Sequence, residues 1–312
     1  YGVHSVTLYV DSVQVFNSTT DKVLPDENRM INGFTDYEEL TRTRRLIMRS
    51  YKLPGNRLRL LHTNENRGAV TIDEEKDYHF RYVLEDNFGN RRTYQFIVKG
   101  KRQDIPEYKP EANEMLYWNR TNVIQKPGME LVVPRYYVYE DVPLRTDMRG
   151  DSSRIAFDYI LDAGRTPIHS YCDLSIGLRH MPVADTTKYY IVQKAGKWRS
   201  SMGGKYANGW IKTRVRSLGT FSVDVDTIAP QITPIGQGGW RTSRNIRFRI
   251  KDMESGIGSY KVYIDGKFVL FGLKKGILVI QDPEKVKKGV SHKLEVTVTD
   301  QCGNMTRKEY KF

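Results

Sequence analysis

Ser255-Gly-Ile-Gly-Ser-Tyr-Lys-Val-Tyr-Ile-Asp265 is echoed at the other end of the chain by Gly2-Val-His-Ser-Val-Thr-Leu-Tyr-Val-Asp11. Laid over each other, Gly256 matches Gly2, Ser259 matches Ser5, Tyr263 matches Tyr9 and Asp265 matches Asp11. A second pair repeats the match: Phe80-Arg-Tyr-Val-Leu-Glu-Asp-Asn-Phe-Gly-Asn90 lines up with Leu294-Glu-Val-Thr-Val-Thr-Asp-Gln-Cys-Gly-Asn304. In both copies an alternating strand ends in Asp-x-x-Gly-Asn and a further strand follows. Self-similarity of this kind implies two homologous β modules flanking a middle region. The C-terminal copy has two strand-like segments ahead of Gly256, Gln231-Ile-Thr-Pro234 and Asn245-Ile-Arg-Phe-Arg-Ile-Lys251, and the N-terminal copy has no counterpart. A module without those strands would leave sheet edges unpaired and core uncovered. The expectation is therefore that more protein precedes Tyr1. The alternative is that the first module borrows strands from elsewhere in the chain.

The 312 residues accommodate two or three domains. Repeat placement favours three, at 1–108, 109–226 and 227–312. With 39% apolar residues, 20 Tyr and 11 Phe, the chain can build packed cores. No apolar run is long enough for a membrane span. The net charge of +13 promotes contact with polyanions such as nucleic acid, anionic glycans or acidic lipid headgroups. It is spread along the sequence, and a merely well-solvated surface carries charge in the same way. Cys302 aligns with Phe88 of the repeat, which suits a buried free thiol. A disulfide to Cys172 is the other possibility and needs favourable geometry.

Ser5 to Phe16 reads as a strand pair bent at Asp11-Ser12. Residues 29–60 read as an insertion with a short helix, in which Tyr37, Leu40, Thr43 and Ile47 sit near helical spacing and Asp36 caps the start. Thr71 to Val98 returns to alternating strands. Gln103-Asp-Ile-Pro-Glu-Tyr-Lys-Pro110 is a linker. The middle region carries strand-like segments at Met129–Val133, Ala156–Leu161, Ser170–Gly177, Lys188–Gln193, Trp210–Val215 and Thr220–Val225. Turn clusters such as Asp162-Ala-Gly, Lys194-Ala-Gly-Lys and Ser201-Met-Gly-Gly-Lys separate them. Short strands at this spacing predict a sandwich. Asp226-Thr-Ile-Ala-Pro230 marks the next boundary. Asp265-Gly266 predicts a type I′ hairpin turn.

Catalytic motifs are absent. There is no Gly-x-Ser-x-Gly elbow, Walker loop or dinucleotide fingerprint. His169 and Asp173 fit a His-x-x-x-Asp spacing, but zinc needs further converging ligands, and no His-x-His follows. That pair reads as sheet packing. Asp86/Asn90 and Asp300/Asn304 read as Asx turns with glycine at positive φ, with calcium as the alternative. Carboxylates are plentiful, and nothing singles out a glycosidase pair. Arg247 and Arg249 share a strand face opposite Phe248 and Ile250, which is ordinary in/out alternation and not the interleaving of charge and aromatics seen on nucleic-acid surfaces. Trp198, Lys205, Tyr206 and Trp210 surround a glycine-rich stretch and form the candidate ligand surface, for sugar rings. Filling the sandwich core or pinning a loop is the competing role.

Taken in order, the motifs resemble the region C-terminal to the catalytic domain in exported lysostaphin-type zinc metallopeptidases of certain Gram-negative bacteria. The matching features are Tyr1-Gly-Val-His-Ser-Val-Thr-Leu-Tyr-Val-Asp11, Ile31-Asn-Gly-Phe-Thr-Asp-Tyr-Glu-Glu39, Leu53-Pro-Gly-Asn56, Asp86-Asn-Phe-Gly-Asn90, Gly203-Gly-Lys-Tyr-Ala-Asn-Gly-Trp210, Asp226-Thr-Ile-Ala-Pro230 and Glu254-Ser-Gly-Ile-Gly-Ser-Tyr-Lys-Val-Tyr-Ile-Asp-Gly266. The resemblance implies an all-β chain of tandem Ig-like or fibronectin-like β-sandwich modules, with a short helical insertion in the first. It implies a catalytic domain, with its zinc, before Tyr1. No catalytic residue, metal ligand or cofactor is expected in this segment. The implied role is accessory: positioning a cell-envelope endopeptidase that cuts peptidoglycan cross-links, or binding an anionic envelope polymer, in the periplasm or at the outer membrane. The implied partners are the upstream catalytic domain and peptidoglycan, with no nucleic acid. A carbohydrate-binding or adhesion module without a peptidase is the alternative, and a self-contained hydrolase the third.

Overall fold

The computed structural model describes residues 2–107, 111–151, 153–162 and 164–312. Tyr1, the Tyr108-Lys-Pro110 end of the linker and Ala163 of the Asp162-Ala-Gly turn lie outside them. The described residues are nearly all in strands, loops and turns, with a few short helices.

The first module holds β1 (Val3–Val10), β2 (Val13–Thr19), α1 (Tyr37–Thr43), β3 (Leu61–Thr63), β4 (Asp77–Asp86) and β5 (Arg91–Lys99). Its strands form one antiparallel sheet in the order β3-β2-β1-β4-β5. The Asp11-Ser12 bend is a tight turn with both residues at positive φ, 48° and 70°. Among the described residues, no second sheet backs this one. Met30, Phe34, Leu53 and Leu58 from the insertion pack on Leu8, Val10, Phe16 and Tyr78 in its place. The cover is partial, and Phe96 remains 47% exposed while stacking on Phe80 at 5.1 Å. The insertion's helix begins where its cap predicts, with Asp36 Oδ1 accepting from the Glu39 amide at 3.0 Å. It ends at Thr43 and so stops short of Ile47, because Arg44 turns left-handed at φ 68°.

The middle module is a two-sheet sandwich. Its strands are β6 (Glu114–Leu116), β7 (Asn122–Lys126), β8 (Met129–Val133), β9 (Val142–Arg149), β10 (Asp158–Asp162), β11 (Cys172–Gly177), β12 (Tyr189–Ala195), β13 (Trp198–Ser201), β14 (Lys205–Ala207), β15 (Trp210–Val215) and β16 (Gly219–Val225). One sheet runs β13-β12-β16-β10-β9-β6 and the other β14-β15-β11-β8-β7. Leu131, Val133, Leu174, Ile176 and Ile211 on the second face Leu144, Tyr159, Leu161, Ile191 and Phe221 on the first, all essentially inaccessible. Apolar burial of this extent is what holds two sheets face to face.

The third module holds β17 (Gln231–Ile235), α2 (Trp240–Ser243), β18 (Arg247–Lys251), β19 (Ile257–Ile264), β20 (Lys267–Phe268), β21 (Phe271–Lys274), β22 (Ile277–Ile280), β23 (Lys293–Asp300) and β24 (Met305–Lys311). Its sheets are β17-β18-β22-β21 and β20-β19-β23-β24. Phe248 and Ile250 point into the core while Arg247 and Arg249 stay outside. The second of these sheets repeats the first module in detail. A register shift falls between Ile257 and Ser259 in β19, and between Val3 and Ser5 in β1. Asp300 Oδ1 accepts from the amides of Cys302 and Asn304, and Asp86 Oδ1 from those of Phe88 and Asn90. Gly303 and Gly89 sit at φ 80° and 81°, which is the turn geometry the repeated motif predicts. Asp265 and Gly266 both have positive φ, as a type I′ turn requires.

Candidate functional site

The outward face of the five-stranded sheet in the middle module carries an ordered row of cations. On β15, Ile211 and Val215 point inward, so Trp210, Lys212 and Arg214 point out. Lys205 on β14 lies opposite Lys212, and Asp173 and Ser175 on β11 lie opposite Arg214 and Lys212. Just past the strand, the Arg216 guanidinium sits 4.6 Å from the Tyr171 ring centroid, with that of Arg214 at 5.6 Å from the same ring. Both charges are thereby steadied over an aromatic face that remains 45% exposed. Among the described residues, Lys205, Lys212, Arg214 and Arg216 form no ion pair. Glu130, Val132, Asp173, Ser175, Lys205, Lys212 and Arg214 line a shallow open depression of about 650 Å³ on this face.

Of the four residues singled out in sequence, this face gathers two. Lys205 and Trp210 share it, with the Trp210 indole beside Gly177, 3.7 Å from where a Cβ on that glycine would sit. Tyr206 pairs with Ile211 and therefore points to the other side of β14. Trp198 belongs to the other sheet, on its edge strand β13, and is 81% exposed. Lys212, Arg214, Arg216 and Tyr171 were not singled out. The alternation in Lys212-Thr-Arg-Val-Arg216 was the available signal, and it needed only the strand period to be applied to charge.

A second cluster lies where the middle module meets the third. Asp226, Asp252 and Asp300 each bring one carboxylate oxygen within 4.8 Å of the others, the one such group among the described residues. Asp226 accepts from the amides of Ile228 (2.9 Å) and Ser255 (3.0 Å), and Asp252 from those of Glu254 (3.0 Å) and Gly256 (2.7 Å). Asp226 and Asp300 are buried. Burial pushes the Asp300 carboxyl above the ordinary range, and the Asp226 charge adds to the push. Glu254 is raised in the same way, by burial and then by Asp226, Asp224 and Asp252. These three hard oxygen donors could hold a divalent cation of the calcium type. Protonation relieves the same repulsion. The Asp300–Asn304 pair thus makes the turn expected of it and also joins a cluster that local sequence does not show.

His169 and Asp173 do not converge. His169 Nδ1 is 3.0 Å from the Tyr139 hydroxyl, and its ring packs edge-on to Tyr137 and Tyr139. Asp173 sits on the outward sheet face. The two cysteines are free and buried, so the interdomain disulfide is not formed. Burial holds both thiols well above their usual range, Cys172 at about 12 and Cys302 at about 11. Neither is a reactive thiolate near neutral pH. Among the described residues, no helix is long and apolar enough to cross a membrane.

Residues 113–226, the middle module, match the Zu5-like domain family. No curated protein matches the sequence. Solved structures similar to the chain include the subject of "Ca2+-stabilized adhesin helps an Antarctic bacterium reach out and bind ice", at 10% identity over 99% of this chain and 89% of that one, with a TM-score of 0.19. Another is a 1.5-MDa bacterial ice-binding adhesin, at 10% identity over 100% and 85%, with a TM-score of 0.18. A third is SGBP-B of the Bacteroides ovatus mixed-linkage glucan utilization locus, solved with a mixed-linkage heptasaccharide, at 12% identity over 99% and 59%, with a TM-score of 0.17.

Proposed function

We propose that this chain is a non-catalytic binding region of a cell-envelope protein, and that its middle module holds an anionic envelope polymer across the outward face of the five-stranded sheet. The observation that carries this reading is the row Lys205, Lys212, Arg214 and Arg216, ordered by strand geometry and in no ion pair among the described residues. Alternate residues on one strand are spaced by about 6.8 Å, so the row meets an extended chain at regular intervals. Tyr171, 45% exposed at one end of the row, adds an aromatic side chain beside the charges. The finer reading is that the region accompanies a lysostaphin-type zinc peptidase domain and positions it on peptidoglycan. The order of motifs along the sequence supports that part.

The test is sedimentation of the purified protein with insoluble peptidoglycan at low and at high salt. Retention is expected at low salt, fading as salt screens the contact. Lys212→Glu with Arg214→Glu abolishes it. Arg247→Glu with Arg249→Glu, the same charge change on an exposed face of the third module, leaves most of it. Equal loss in both variants reduces the effect to bulk charge, and no retention at low salt removes the polymer from the account.

A further inference from the structure

We infer that the tip Leu46-Ile47-Met48 of the first module docks on an anionic lipid surface, a contact separate from the polymer face. These three consecutive large apolar side chains are 66%, 43% and 42% exposed. Folded surfaces seldom leave such a run in water without a use for it. The tip is also held in place. Ile47 O accepts from the Asp36 amide at 2.8 Å, the Arg49 amide donates to Phe34 O at 2.9 Å, and Thr35 bridges to Met48. Pinned along its backbone to residues 34–36, the run cannot fold its side chains back into the core that Phe34 occupies.

Charge identifies the occupant. From Leu40 to Asn64 the chain contains no Asp or Glu, and Arg42, Arg44 and Arg45 precede the tip while Arg49 follows it. Glu39 engages Arg42. Arg49 lies over Tyr51, 5.8 Å from its ring centroid. Arg44 and Arg45 make no ion pair among the described residues. An exposed apolar run flanked on both sides by arginines matches the layering of an anionic bilayer, with headgroup charge outside and hydrocarbon within. Arginine stems can lie along the apolar layer while their heads stay with the phosphates. A protein partner fits less well. A stable protein interface covers about 800 Å² on each side, and three side chains present a small part of that.

The experiment uses the whole chain and two vesicle compositions, phosphatidylcholine alone and phosphatidylcholine mixed with phosphatidylglycerol. Leu46→Cys is labelled with an environment-sensitive dye, the native Cys172 and Cys302 being buried. On the mixed vesicles alone, the dye is expected to shift to the blue and brighten. In co-sedimentation, Ile47→Asp weakens binding by about tenfold or more, and Arg44→Ser with Arg45→Ser by about fivefold for each charge removed. Lys212→Glu with Arg214→Glu leaves vesicle binding intact, which keeps this contact distinguishable from the polymer face. The inference is overturned if the dye is unmoved while the protein still sediments, since binding is then by diffuse charge. It is equally overturned if Ile47→Asp binds as well as the parent, if neither vesicle retains the protein, or if the dye responds to insoluble peptidoglycan in place of lipid.

Discussion

His292 is placed between two acceptors, with Nδ1 2.6 Å from Asp265 Oδ2 and Nε2 2.8 Å from Lys287 O. Only the imidazolium can donate at both nitrogens. Burial alone pushes its pKa down, but the Asp265 hydrogen bond and the Lys287 carbonyl outweigh it, and the group titrates above its ordinary value. Asp265 is lowered in turn by the His292 bond and then by the Lys293 amide. A raised histidine stabilises the fold fully below its unfolded pKa of about 6.5 and loses that contribution as pH climbs through the folded value. The lowered Asp265 stabilises above its unfolded value near 3.9 and loses that contribution as pH falls through its folded pKa. Thermal melts of the third module should therefore weaken as pH rises above about 6.5, and again as pH falls below the ordinary aspartate range. His292→Asn, which cannot charge, should flatten the upper slope, and an unchanged slope would remove the pair from the explanation. Asp265 itself was legible in the sequence as the first residue of an Asp-Gly turn, because φ > 0 at both positions is a local demand. Its bond to His292, 27 residues on, was not legible, because it depends on how β19 registers against β23.

At the scale of elements, capping and alternation were the readable signals. Asp36 starts α1 as its position predicts, and Asp36→Ala should cost about 1 kcal/mol of local stability. Because α1 is short and exposed, that loss should appear as faster amide exchange at Glu39 and Leu40 with little change in the global melt. Uniform exchange across the module would mean that the helix is coupled to the core more tightly than its burial implies. Strands with a clean apolar period, such as Trp210–Val215, stand where the pattern places them. In the middle module the pattern does not show five others: β6, β7, β9, β13 and β14. Three of these have four residues or fewer, and β9 carries Pro143, two arginines and an aspartate along its exposed positions. Such strands form because neighbouring strands hold them, and not because of their own composition. The same gap explains the aromatic candidates. Sequence proximity brought Trp198, Tyr206 and Trp210 together, and the pleat and the division into two sheets separated them.

Across the whole molecule, the repeat made the flanking modules readable, while the joints between modules stayed hidden because each is assembled from distant segments. Tyr139 of the middle module is 3% exposed within the first module's core, donates its hydroxyl to Arg29 O at 2.9 Å, and packs where a Cβ on Gly33 would lie 2.6 Å from its ring. Tyr139→Ala should cost about 3–5 kcal/mol and uncouple the melting of the two modules, whereas Tyr139→Phe should cost about 1 kcal/mol and leave them coupled. Two equal losses would mean that the hydroxyl, and not the ring, makes the joint. The joint to the third module packs Tyr190 and Val192 on Cys302 and also gathers like charges beside them. With EDTA present at pH 7, the carboxylates of Asp226, Asp252 and Asp300 crowd one another, and the raised Asp300 and Glu254 bind protons more readily folded than unfolded. For carboxyls shifted upward, stability grows as pH falls from above the folded pKa toward the unfolded one. Asp252→Asn tests this without disturbing the turn, because an amide oxygen can still accept from the Glu254 and Gly256 amides while the charge is gone. Its melting temperature at pH 7 should exceed the parent's by about 2–4 °C, and the difference should shrink as pH falls and the raised Asp300 and Glu254 take up protons. A variant that melts lower than the parent under these metal-free conditions would show that the Asp252 charge is stabilised by something other than a proton, and the repulsion account of this joint would be withdrawn.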